Sequence, residues 1–203
     1  MFFSRLYYWL RSALFGPPDI GVLARRIADD ASRRAFRLYR DKKFRQSVAF
    51  DTLTTTEQDR MFNELVASNI VLVMLMLDTF VKVADSERKE NVRTMLAAVP
   101  EQFIQSLESL GIDRAYTEIW LKLLHLRRDE YEQTRLEHRE HFPEFGEGNP
   151  WIHVVAVGCL FHIRRGQAIK KDPLLEPLYE QAIDIAERTR KAIESVIFSG
   201  SFH

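Results

Sequence analysis

Apolar positions recur along this chain at helical spacing almost from end to end. The first such stretch holds Phe2, Phe3, Leu6, Trp9, Leu10, Ala13 and Leu14, and Gly16-Pro17-Pro18 ends it. A second helix is expected from about Asp19 into the forties, with Leu23, Ala24, Ile27, Ala28, Ala31, Ala35 and Leu38 on one face. Its many alanines let a neighbouring helix approach closely, so this face is expected to be buried. Thr54-Thr55-Thr56-Glu57 reads as a capping box that opens a third helix running towards Ala84. That helix is apolar on nearly all sides between Leu65 and Leu77, the pattern of a central bundle helix.

Ser86 starts a fourth helix expected to end near Val99, where Pro100 opens a short fifth that Gly111 closes. Asp113 caps a long sixth helix reaching about Phe142, and residues 143–150 read as loop. Asn149-Pro150 starts a short helix to about Arg165, although Val154, Val155 and Val157 leave a strand as the competing reading. Gly166 breaks that segment. A last helix is expected from near Asp172 to Phe198, with Leu178, Ala182, Ile185, Thr189, Ala192, Ile193 and Val196 facing inward. No repeat of fixed period is visible, which disfavours a solenoid. The pattern predicts an all-α, single-domain multi-helix bundle of about seven helices over residues 17–203, preceded by an amphipathic aromatic helix over residues 1–16.

Composition agrees with that picture. Of 203 residues 46% are hydrophobic, enough for a packed core and too many for global disorder. The 29 basic and 29 acidic residues cancel, which argues against general nucleic-acid binding. The single Cys159 rules out an internal disulfide and Cys-rich zinc sites and fits a reducing compartment. The longest uninterrupted apolar run, Ile70 to Leu77, is far shorter than the roughly 20 residues of a membrane span. At the N-terminus Arg5 and Arg11 interrupt the hydrophobic stretch and no small-x-small site follows, which argues against a secretory signal. The lack of acids before Asp19 is also a trait of transit peptides. The expectation is a cytoplasmic protein, at most peripheral on a membrane.

Candidate chemistry is sparse. A ferritin-like di-iron bundle needs Glu-x-x-His on two helices, and no Glu or Asp here has a His three positions later. Glu118, His125, Asp129 and Glu132 share a stripe of the sixth helix but lie opposite Trp120, Leu124, Tyr131 and Phe142, as a solvated face would. Glu64 and Asp78 flank the apolar heart of the third helix and read as its solvated ends, Asp78 pairing with Lys82. Cys159 and His162 are spaced to meet on one face, His153 is not, and core packing accounts for all three. If a metal is bound, His138 and His141 are the first-choice ligands, His138 projecting from the apolar side after Tyr131. The spacing identifies no cofactor.

The N-terminal quarter is more suggestive. Residues 25–45 carry nine basic residues against three acidic ones. Arg26, Arg33, Arg37 and Arg40 fall within about 60° of one another, opposite the alanines. Behind them come the aromatics Phe2, Phe3 and Trp9. An apolar aromatic segment followed by an arginine face suits an anionic membrane surface. Two bland readings compete: the arginines dock on the acidic stretch 130–147, or residues 1–15 simply cover the bundle. A helix-turn-helix is disfavoured, since Ser32-Arg33-Arg34 continues the helix where a turn would be needed. The sequence thus predicts a non-catalytic interaction protein that meets a partner protein or anionic membrane through its N-terminal region. The alternative is a metal- or small-ligand-binding α protein using His138 and His141. Homo-oligomerisation is left open.

Overall fold

A computed structural model describes residues 19–84, 86–138, 140, 149–167 and 170–199, and all regular structure among them is helical. Seven α-helices follow in order: α1 (Ile20–Arg40), α2 (Lys42–Ser47), α3 (Thr55–Val83), α4 (Ser86–Ser109), α5 (Arg114–Glu137), α6 (Pro150–Ile163) and α7 (Leu175–Ser199), with a 3-10 turn at Phe50–Thr52. The all-α bundle read from the sequence is therefore correct. The expected helix over residues 1–16, with Phe2, Phe3 and Trp9, lies outside the described residues, as does His141.

Short polar side chains start most helices where the pattern placed them. The carboxylates of Asp19, Asp41 and Asp113 accept the first-turn N–H groups of Val22, Phe44 and Ala115 at 3.1, 2.9 and 2.8 Å. Thr54 accepts from Glu57 N–H, and Asn149 accepts from Trp151 N–H with Pro150 in the first turn. The valine-rich segment 150–163 is a helix, because that cap and the burial of Trp151, Val154, Val155, Cys159 and Ile163 outweigh β propensity.

Three boundaries differ from expectation. The helix after Asp19 does not run unbroken into the forties, since Asp41 ends α1 and caps α2. Pro100 does not divide two helices but sits inside α4. Val92, Met95, Val99 and Phe103, buried on both sides of it, share one face that packs as a unit. Lastly, α5 stops at Glu137, with His138 as its C-cap.

The core is built around α3, which touches α1, α4, α5, α6 and α7. Every residue from Glu64 to Leu75 is buried. An 18-residue window of this helix has mean hydropathy 1.8, long and apolar enough to cross a membrane, which the run Ile70–Leu77 alone had understated; 83% of it is buried within the bundle. Against α3 lies the alanine face of α1, Ala24, Ala28, Ala31 and Ala35, each no more than 2% exposed. The buried Asn69 of α3 donates its side-chain N–H to the Ala31 carbonyl at 3.0 Å, which the missing side-chain bulk permits.

Candidate functional site

The alanine face fixes what the opposite side of α1 presents. Arg26, Arg33, Arg37 and Arg40 are all exposed, in one line along about 21 Å of helix. Val22 and Phe36 stand on the same side, 65% and 47% exposed. The Arg40 guanidinium stacks over the Phe36 ring, 5.5 Å from its centroid. Arg33 reaches Asp30 only at 4.0 Å. Arg34, one position off the line, is the arginine spent internally, on Asp30 and on Asp184 of α7. The described ion pairs of this helix thus run to Asp29, Asp30 and Asp184, not to the acidic stretch after Glu130.

Arg26 and Arg33 also border a groove of about 360 Å³ between α1 and α7, whose opposite rim carries Arg188 and Lys191. Leu23, Ile27, Val73 and Ile185 line its apolar part. Asp30, 3.4 Å from Arg188, is the acid in the lining.

A second constellation lies inside the bundle. Glu64, read from the sequence as a solvated helix end, is only 6% exposed. Arg127 of α5 clamps it with two bonds, Nε to Oε2 at 2.8 Å and Nη2 to Oε1 at 2.6 Å. Arg127 also reaches Glu130 at 3.0 Å, and Glu130 Oε1 lies 2.8 Å from Nε2 of His162 on α6. One turn beyond Glu64, Ser68 shares a 2.8 Å hydrogen bond with the buried Tyr131 hydroxyl. The Cys159 thiol approaches the Glu64 carbonyl at 4.0 Å. A Cβ at Gly158 would fall 2.3 Å from the Tyr131 ring, so only glycine lets α6 lie this close.

Electrostatics hold this cluster in one protonation pattern. Burial opposes the charge on Arg127, but Glu64 and Glu130 outweigh it and keep its pKa above the ordinary value. Burial, helped by the Arg127 charge, pushes His162 below its usual 6.5. Burial pushes the Cys159 thiol up to about 12 and the Tyr131 hydroxyl well above 10.0. At neutral pH the thiol and phenol are therefore protonated and poor nucleophiles. The cluster ties three helices together and offers no activated nucleophile.

The remaining sequence candidates separate. His138 does not project from the apolar side; because the helix ends one residue earlier, it is exposed as the C-cap. His153 stands against the Tyr179 hydroxyl of α7, away from Cys159 and His162. Glu118, His125 and Asp129 are solvent-facing, as expected. Asp78 does pair with Lys82, at 2.6 Å. Among the described residues no three His, Cys, Asp or Glu side chains are grouped to hold a metal ion. The chain matches no protein-family model, no curated protein and no solved structure, so its function has to be read from its own residues.

Proposed function

We propose that this protein is a non-catalytic, peripheral interaction protein that docks on an anionic membrane surface through the arginine face of α1 and the aromatic segment preceding it. The line of exposed Arg26, Arg33, Arg37 and Arg40 carries this reading. Well-placed basic residues contribute about 1 kcal/mol each to association with anionic lipid. The exposed Val22 and Phe36 among them offer shallow apolar contacts of the kind an interfacial helix uses. Phe2, Phe3 and Trp9 would add aromatic anchors.

Vesicle flotation tests this directly. The intact chain is expected to float with anionic vesicles and not with neutral ones, and a chain lacking residues 1–16 to float less. Joint reversal of Arg33→Glu, Arg37→Glu and Arg40→Glu should reduce binding at least a hundredfold while leaving the fold unchanged, since all three side chains are solvent-exposed. Equal flotation of the triple variant, or of the chain with neutral lipid, overturns the proposal. Binding to a protein partner with no affinity for vesicles would do the same.

A further inference from the structure

The groove between α1 and α7 has a floor and rims of different chemistry. Leu23, Ile27 and Ala31 of α1, Val73 of α3, and Ile185 and Ala192 of α7 line its floor. The hydroxyls there are turned onto their own helix: Thr189 donates to the Ile185 carbonyl at 2.9 Å and Ser195 to the Ala192 carbonyl at 2.7 Å. Their protons are thus spent, and the floor presents mainly carbon. The rims are basic, with Arg26 and Arg33 on α1 and Arg188 and Lys191 on α7. Asp30, the acid in the lining, is neutralised by Arg34 at 3.1 Å and by Arg188 at 3.4 Å. These pairs also fix how the helices lie. Asp30 meets Arg188 and, one turn further along α1, Arg34 meets Asp184, one turn earlier on α7, so the two helices run antiparallel. One turn back from Asp30 stands Arg26, and one turn on from Arg188 stand Lys191 and Ala192, which sets Arg26 and Lys191 level on opposite rims. Among the described residues, the ion pairs of the α1 arginines run through Arg25, Arg33 and Arg34 and leave Arg26 out.

We infer that this groove binds one anionic amphiphile, its alkyl chain along the apolar floor and its headgroup between Arg26 and Lys191. Both halves of the ligand follow from the lining. A purely ionic ligand would leave the floor uncovered, and an uncharged one would gain nothing from Arg26 and Arg33. The volume of about 360 Å³ falls at the lower end of the roughly 300–1,000 Å³ of small-ligand sites, which suits a single alkyl chain. From Leu23 to Arg33 the groove follows about 15 Å of α1, the extended length of an alkyl chain of about twelve carbons. Residues 1–18 are the competing occupant, being apolar and next along the sequence. They carry Arg5 and Arg11 and no acid, so the basic rims disfavour them. The site goes beyond docking on a bilayer and does not rest on it, because it takes one molecule at a time from solution.

Isothermal titration calorimetry of the full protein with dodecyl phosphate, kept below its micelle concentration, tests the site. One molecule should bind per protein. Octyl phosphate should bind about tenfold or more weakly, since about four methylenes fewer are buried. Inorganic phosphate, the head alone, and dodecyltrimethylammonium, the same chain with the opposite charge, should each bind about a hundredfold or more weakly than dodecyl phosphate. These comparisons use the native protein and decide the matter whether or not a variant folds. Ala192→Phe fills the groove and Lys191→Glu reverses one rim. Each should weaken dodecyl phosphate binding about tenfold or more with an unchanged circular dichroism spectrum, while Ala192→Phe still floats with anionic vesicles as the native protein does. No binding, equal affinity for inorganic phosphate or for dodecyltrimethylammonium, or affinity indifferent to both substitutions overturns the inference. Dodecyl phosphate bound by a protein that does not float leaves this site standing and removes the membrane proposal. Flotation without dodecyl phosphate binding does the reverse.

Discussion

At the scale of single residues, the most consequential pair is Glu64 and Arg127, whose side chains are 9% and 11% exposed. Their attraction is set against the cost of taking both charges out of water, so the pair adds little over apolar side chains of similar size. Losing one partner is different, because the other charge stays buried. Glu64→Leu and Arg127→Leu are each expected to cost about 3–5 kcal/mol, and the double substitution to cost clearly less than the sum of the two. Urea denaturation of the four chains measures the coupling. Additive losses would mean that each side chain acts through its other contacts, Glu130 for Arg127 and the core for Glu64. A trace of this pair was present in the sequence. Glu64 and Ser68 are one turn apart on α3, Arg127 and Tyr131 one turn apart on α5, and both bonded pairs are separated by 63 residues. That constant offset is what two helices running in the same direction produce. No single helix reveals it, since four isolated polar residues look like ordinary surface until the two helices are laid side by side.

At the scale of elements, helix starts were readable because a cap is a local event. Asp19, Thr54, Asp113 and Asn149 each bond within three residues of themselves. Helix continuity was less readable because packing decides it. Pro100 lacks the N–H that would bond Leu96 and its ring crowds that carbonyl, yet α4 runs on for nine more residues to Ser109. What carries it through is the shared buried face of Val99 and Phe103 against the rest of the bundle. Pro100→Ala should therefore stabilise the protein by about 1–2 kcal/mol, the regained bond and relieved crowding being offset in part by a freer unfolded chain. Thermal unfolding reads this as a higher Tm. A lower Tm would show that the proline is needed where it stands, and that α4 behaves as the two helices its sequence suggests. Asp41 works in the other direction, since its carboxylate offers Phe44 N–H a cap that competes with helix continuation.

At the scale of the whole molecule, the arginine face and the buried network differ in how they are encoded. The face was legible because one helix suffices: its alanines mark the inside, and the arginines follow on the outside at helical period. The network needs α3, α5 and α6 together, so it emerges only from the tertiary arrangement. His162 lets the network report on global stability. Its pKa in the folded protein lies below 6.5, chiefly through burial and then through the nearby Arg127 charge, with Glu130 opposing. The unfolded chain thus binds this proton more readily than the folded one. The stability it contributes is complete above pH 6.5 and is lost as the pH falls from there through the folded-state pKa. The half-buried His153, also lowered by burial, acts in the same direction. Burial alone would raise the Asp172 pKa, but its Arg164 bonds outweigh it and hold it low, so its stabilising contribution is complete above its usual 3.8 and is lost only below that pH. The urea midpoint of the native chain is accordingly expected to drop between about pH 7.5 and about pH 5, and that of His162→Gln to drop less. Glutamine keeps a polar group beside Glu130 but takes up no proton, so the difference between the two drops isolates the histidine. An identical drop in both chains would locate the pH sensitivity elsewhere, with His153 the first residue to replace next.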